Sequence, residues 1–299
     1  MDEQFARLRA QYDDLGAKTA AARSAQEAFG ETLAREIEAH RFSASELARH
    51  YNHRPSVQAD LLSLLKPLEP MKVGGFKKTR AGRERDGGYV MLDDFVGIEA
   101  AYSIGISDEI SWDKWIVERG IDVFQYDHTI EAPPERHEKM HWRKLGLGTS
   151  DEPDASLASM ATMLAQNGHA HSRDLILKID IEDAEWDVFG ALDPAIMSQF
   201  RQIVGEFHRF TNVATPSRCE RMRKAIIALT ADHHLVHVHG NNYGPYLIMG
   251  GVPIPDSLEL TFVRKDDKTF EASDEIFPTS LDVPNNPGLA DYRLGAFRF

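Results

Sequence analysis

Carboxylates crowd the end of one apolar run in this sequence, Leu177-Lys178-Ile179-Asp180-Ile181-Glu182-Asp183-Ala184-Glu185-Trp186. Their mutual repulsion is a cost unless a cation, hydrogen-bond donors or shifted pKa values offset it. Glu182 and Glu185 could simply belong to the first turn of a following helix, where the helix dipole favours acids. Asp180 lies too far inside the run for that. Two more runs end in polar groups, Gly205-Glu206-Phe207-His208 and His237-Val238-His239-Gly240-Asn241-Asn242. Period-two spacing puts Glu206 and His208 on one face of a strand, and His237 and His239 on one face of another. A histidine of near-neutral pKa could take the proton of a hydroxyl acceptor. His208 and His239 are therefore candidate bases, oriented by Asp180 or Glu206. Alternatively Asp180, Glu206 and His208 could hold a divalent metal, since carboxylate and imidazole ligands suit several cations. His237 reads equally well as a buried neutral histidine with a backbone partner.

Two earlier run ends add a candidate ligand pocket. The first is Ser103-Ile104-Gly105-Ile106-Ser107-Asp108, where Gly105 allows a tight turn and a close backbone approach. The second is Gln125-Tyr126-Asp127-His128, with Asp127 about 20 residues beyond Gly105, the interval at which an acid meets a ribose in Rossmann-type sites. The loop lacks the G-x-G-x-x-G of a dinucleotide site, which disfavours a diphosphate cofactor and an NAD-dependent oxidoreductase.

These residues need strands to carry them. Runs 100–106, 122–126, 175–181, 202–207, 235–239 and 258–263 read as strands, and 156–166 and 219–230 have helical spacing. Strands alternating with helices predict an α/β fold, a Rossmann-like mostly parallel sheet with helices on both faces. Residues 1–66 form a separate N-terminal helical segment, and 67–299 the main domain. Helix formers dominate residues 2–40, with Phe5, Leu8, Tyr12 and Leu15 and then Phe29, Leu33 and Ile37 in a stripe weakened between them by Gly16 and Thr19. Such a helix could pack on its own domain, fray in part, or reach a partner subunit in a homo-oligomer. Shorter helices follow from Ser43 or Ser45 to 50 and over 56–65. Residues 277–299 hold three prolines and read as an ordered, irregular tail.

Lys and Arg number 34 against 47 Asp and Glu, a formal charge of −13, which argues against nucleic acid as a partner. Cys219 is the sole cysteine, so neither a disulfide nor a cysteine zinc site can form within the chain, as suits a reducing compartment. The N-terminus has no apolar signal region and no run spans a bilayer. A soluble, cytoplasmic protein is expected.

The run Lys178-Ile179-Asp180-Ile181-Glu182-Asp183-Ala184-Glu185-Trp186 resembles the signature of FkbM-type class I methyltransferases. Asp86-Gly87-Gly88-Tyr89-Val90 is similar to an element preceding the first strand in a bacterial branch of that family. Further similar elements are Tyr126 to Thr129, His237 to Asn242, and Leu281-Asp282 with Pro284-Asn285-Asn286-Pro287; the likeness spans about residues 72–297. It implies a seven-stranded methyltransferase sheet over 67–299, binding S-adenosylmethionine at the ends of its first strands. Gly105 with Ser103 and Ser107 would face the methionine part, Asp127 with His128 the ribose, and Asp180 the transferred methyl. Asp86, Gly87, Gly88 and Tyr89 would close the site from outside the sheet. Asp183 stands where the family usually has glycine, and an Asp can take a left-handed conformation at some cost. The resemblance implies O-methylation of a sugar, glycan or other small hydroxyl acceptor. A non-catalytic subunit binding S-adenosylmethionine or carbohydrate, and a metal-dependent hydrolase on a similar sheet, are the rival readings.

Overall fold

Side chains alternate from face to face along a strand, so each apolar run feeds two layers. The computed structural model describes residues 2–39, 43–152, 156–265 and 268–299. Its main sheet comprises β1 (Ala100–Ile104), β2 (Val123–Tyr126), β3 (Met140–Arg143), β4 (Leu175–Ile179), β5 (Phe200–Phe207), β6 (His233–Gly240) and β7 (Leu258–Arg264). The strand order is β3-β2-β1-β4-β5-β7-β6. Neighbours from β3 to β5 run parallel, and β7 is antiparallel to both β5 and β6. This is the doubly wound order 3-2-1-4-5-6 with one reversed strand slotted before the last.

The helices are α1 (Asp2–Ala39), α2 (Ala44–Tyr51), α3 (Pro55–Leu65), α4 (Ser111–Val117), α5 (Met160–Gln166), α6 (Glu185–Ala191), α7 (Pro194–Met197) and α8 (Pro216–Asp232). Leu177, Ile179, Ile203 and Phe207 point into one layer, where they meet Leu61 and Leu64 of α3, Trp186 of α6 and Met222 of α8. The alternate residues Ile176 and Val204 point the other way, toward Trp112 and Ile116 of α4 and toward Tyr89 and Met91. Both faces are thus covered, but the second has one short helix, assisted by the hairpin Lys78–Ala81 with Tyr89–Leu92. α2 and α3 share the sheet's own core, so the boundary at 66/67 marks a change of sequence character within one packed body.

Near its end α1 is tied to the rest of the fold. Arg35 is buried, donating to the carbonyls of Ala214 (2.7 Å) and Val213 (2.9 Å) and pairing with Asp60 (3.0 Å). Residues 16–34 are exposed, Phe29 and Leu33 among them. The side chains of Phe5, Leu8, Tyr12, Leu15 and Ile37 lie outside the described residues. Among the described residues no helix is long and apolar enough to cross a membrane.

Several boundaries differ from the sequence reading for local reasons. β1 ends at Ile104 because Gly105 turns the chain, and β4 ends at Ile179. Residues 157–158 are recruited as a short strand beside Gly146–Leu147, so α5 starts only at Met160, with the Ser159 hydroxyl capping the Thr162 N–H. β3, with the sequence Met-His-Trp-Arg, is an edge strand with little apolar signal.

The irregular tail is anchored by histidines. His237 Nε2 lies 2.8 Å from Asp282, and Asn242 Oδ1 accepts the Asn286 N–H at 2.7 Å. His239, 1% exposed, sits between Glu259 (2.9 Å from Nδ1) and Asp291 (3.0 Å from Nε2). Burial of this ring opposes its charge, but the two carboxylates outweigh that and raise its pKa to about 10. A histidine raised in the folded state contributes stability that is full below its unfolded pKa and lost as pH climbs through the folded one. Denaturant titrations should therefore show stability falling from about pH 7 to pH 9 by up to about 1.4 kcal/mol per unit. His239→Gln should lower that slope by its own share, any other histidine raised in the fold keeping its part; equal slopes for the two proteins would refute the assignment.

Candidate active site

In doubly wound sheets ligands bind beyond the carboxyl ends of the strands, where the order reverses. Here that crevice opens between β1 and β4. Gly105 turns off β1 with φ +74°, and a Cβ on it would overlap the carbonyl oxygen of Asp180. Lys178, buried beneath, donates to the Gly105 carbonyl and so ties the two strand ends together. The loop is held from the β2 side by Asp127. Its Oδ2 accepts the N–H groups of Ile106 (3.0 Å) and Ser107 (2.9 Å), and its Oδ1 accepts the N–H (2.8 Å) and hydroxyl (2.6 Å) of Thr129. Those four donors fill the sites a carboxylate offers. Burial works against the charge of Asp127, but the donors prevail and its pKa lies below the usual value.

A cavity of about 1040 Å³ occupies the crevice. Asp86, Gly87 and Tyr89 wall it on one side, Gly105, Ser107, Asp127, His128 and Thr129 on another, and Asp180, Glu182, Glu206 and His208 on a third. Gly146 is packed so tightly against the His128 ring and Leu157 that a Cβ would strike both, and all three line the cavity.

His208 is the centre of the acidic wall. Its Nδ1 lies 3.0 Å from the fully buried Glu185, which also accepts the Ile181 N–H at 2.8 Å. Its Nε2 faces Glu206 at 3.5 Å and Asp180 and Glu182 at 3.8 Å each. Burial disfavours the imidazolium, but Glu185, Glu206 and Asp180 overcome it and hold the pKa up at about 10. Burial raises Asp180 to about 6 against the pull of Lys178 and His208, and it raises Glu206 well above the carboxylate range, with Asp180 adding to the shift. Glu206 Oε1 accepts from Asn241 Nδ2 at 2.8 Å.

The backbone around this wall is strained. Glu182 (φ +57°), Asp183 (φ +89°), Arg209 (φ +60°) and Ser107 (φ +43°) are all left-handed. Such residues cost about 1–3 kcal/mol each and gather at functional sites. The turn at Asp183 therefore survives without glycine, and its carboxylate pairs with Arg221 of α8 at 2.7 Å.

The structure brings together most of the residues singled out in sequence, but not all. Ser103 is fully buried under the loop, 3.2 Å from Asp113, and does not line the cavity. Gly88 packs against the Arg83 carbonyl behind the wall. His239 is enclosed with the tail and does not line the cavity, so geometry leaves it no access to a ligand there. His208 does face the cavity, with Nδ1 engaged by Glu185 and Nε2 turned toward the acidic wall. Glu185 does open α6, as one sequence reading had it, but from there it also makes a buried contact with His208 at the end of β5, a pairing no local pattern reveals. Asn285, which donates to Asp86 and Glu259, brings the tail to the same wall. Its only signal was the Pro-Asn-Asn-Pro motif. No family model matches the chain, and no curated protein matches it either.

Gly105→Ala tests the crevice. The added methyl must push the β1 loop off Asp180 from a left-handed backbone, so a stability loss of roughly 2 kcal/mol or more is expected in chemical denaturation. A variant as stable as the parent would mean that the two strand ends are not held so closely.

Proposed function

We propose that this chain is a methyltransferase that binds S-adenosylmethionine beyond β1, β2 and β4 and passes the methyl group to a hydroxyl of a sugar, glycan or similar small acceptor. The cavity carries this reading. At about 1040 Å³ it reaches the top of the roughly 300–1,000 Å³ range of small-molecule sites, enough for donor and acceptor side by side. Its acidic wall suits a sulfonium cation. The β1 loop has no phosphate-cradling glycine series, which suits a cofactor without a diphosphate. In this reading Gly105 and Ser107 meet the methionine part, and the Thr129 hydroxyl, held by Asp127, meets the ribose, with Asp127 acting through the loop it fixes. The adenine rests against the stretch of wall that includes His128 and Leu157, and Tyr243, 63% exposed at the rim, offers a ring face to a sugar.

Transfer is an in-line displacement. The acceptor oxygen forms a bond to the methyl carbon while the carbon–sulfur bond breaks, its electron pair staying on sulfur. Alignment of the three atoms supplies much of the acceleration. The hydroxyl proton passes to the ionised form of Glu206, whose raised pKa makes it the stronger base once deprotonated and which faces the cavity with one oxygen steadied by Asn241. One observation favours a different reaction: the grouping of Asp180, Glu182 and His208 would also suit a metal-dependent hydrolase, which would have no affinity for S-adenosylmethionine.

Calorimetric titration with S-adenosylmethionine and with its demethylated product decides between them. Saturable binding is expected, weakened at least tenfold by Asp127→Asn. Absence of binding to the folded wild-type protein would overturn the methyltransferase reading. With a sugar acceptor in hand, Glu206→Gln should lower turnover by about 10²-fold or more, the contribution typical of a general base, while leaving cofactor affinity within about threefold. Undiminished turnover would remove Glu206 from the proton's path.

A further inference from the structure

The acidic wall poses a question of its own, independent of which reaction the cavity serves. Glu185 takes the Nδ1 side of His208 and so turns Nε2 toward the cavity. His208 is 9% exposed, and among the described residues Nε2 makes no hydrogen bond. Instead it looks at three carboxylates 3.5–3.8 Å away. A charge-assisted hydrogen bond would draw one of them in to about 2.7–2.9 Å. A lone pair facing three anions would repel them. The observed spacing fits neither arrangement, but it comes close to the separation of atoms sharing an ion: two ligands about 2.1 Å from one cation lie roughly 3.0–3.5 Å apart.

We infer that Asp180, Glu182 and His208 form a site for a divalent cation, with Glu185 as the residue that positions the imidazole. Their donor atoms all lie within 4.8 Å of one another. A buried carboxylate holding the far nitrogen of a ligating histidine is the usual supporting arrangement, because it fixes tautomer and ring orientation together. The strained Glu182–Asp183 turn belongs to the same design, since it is what swings Glu182 back from the end of β4 toward Nε2. Two carboxylates and one imidazole make a mixed, oxygen-rich set, suited to a cation such as Mn²⁺ or Mg²⁺. Three protein ligands leave positions open. Glu182 is 84% exposed along its side chain, so those positions face the cavity, where water or a hydroxyl of a bound ligand would complete the shell.

The test uses the full chain, stripped by a chelator and titrated with Mn²⁺ alone by calorimetry and by water-proton relaxation. One saturable site per chain is expected, with a Mn²⁺-dependent rise in melting temperature. Glu182→Gln, at an exposed position that leaves the core intact, should weaken Mn²⁺ at least tenfold. Glu185→Gln touches no cation, yet it should weaken binding by about 10–100-fold, the effect typical of such supporting groups. Asp60→Asn, on α3 and remote from the crevice, should change nothing. No saturable Mn²⁺ binding by the wild type, or binding indifferent to Glu182→Gln, would overturn the site. Titration with S-adenosylmethionine is a separate readout, so cation binding without it would sink the methyltransferase reading and leave this site standing, and the reverse result would do the opposite.

Discussion

The ends of β1 and β4 meet backbone to backbone, with Gly105 against the carbonyl of Asp180. Nothing larger than glycine allows that contact, and the crevice takes its shape from it. Because β1 turns off so early, the loop that follows can be gripped by Asp127 from β2. Because β4 stops beside it, Asp180 and the turn after it are delivered to the cavity wall. Lys178 completes the joint from below, placing a buried positive charge under an array of acids. Its neighbour Asp113, fully buried, is pushed up by burial to about 6 despite Lys178 and the hydrogen bond from Gln125. A buried cation here sits between two carboxylates that it stabilises and that stabilise it, and removal of one partner from such a set is costly.

The sheet was legible because its strands are buried on both faces and read as continuous apolar runs. β3 escaped that reading because it lies at the edge and spends half its residues on solvent. The hairpin over the second face escaped it for another reason: Lys78–Ala81 carries polar residues that cover a sheet instead of entering one. Strand ends were the informative positions for the site, so Gly105, Asp127, Asp180, Glu206 and His208 could each be singled out alone. Their partners could not. That Glu185 holds His208, that Glu259 and Asp291 enclose His239, and that Asn285 reaches Asp86 all depend on pairings across 20 to 199 residues of chain. Residue type and spacing reveal what a side chain can do; only the fold decides which of two similar histidines faces a ligand.

The two histidines of β6 show what that difference consists of. His237 and His239 share a face with Glu259 and with the tail, so their polar groups are consumed in fastening residues 282–291 across the end of the sheet. The tail in turn carries Asn285 to the wall formed by Asp86 and Glu259. An irregular segment with several prolines has little core of its own and needs such polar anchors to hold one conformation. The histidines are therefore structural in the strict sense, yet the cavity depends on them through the tail.

Asp183 joins these threads. Glycine would adopt its φ of +89° without strain, whereas aspartate does so at a cost of order 1 kcal/mol. The compensation is visible: the carboxylate pairs with Arg221 at 2.7 Å, and Arg221 also holds Asp187 one turn further along α6 at 3.0 Å. The turn is thereby pinned to α8, and the largely exposed Glu182 leaves it with one carboxylate oxygen 3.8 Å from His208 Nε2. A glycine in that position would turn as easily but would lack this tie to α8, leaving the turn that carries Glu182 free to shift. The aspartate exchanges backbone comfort for a fixed direction, and that exchange is worthwhile only if the direction of Glu182 matters.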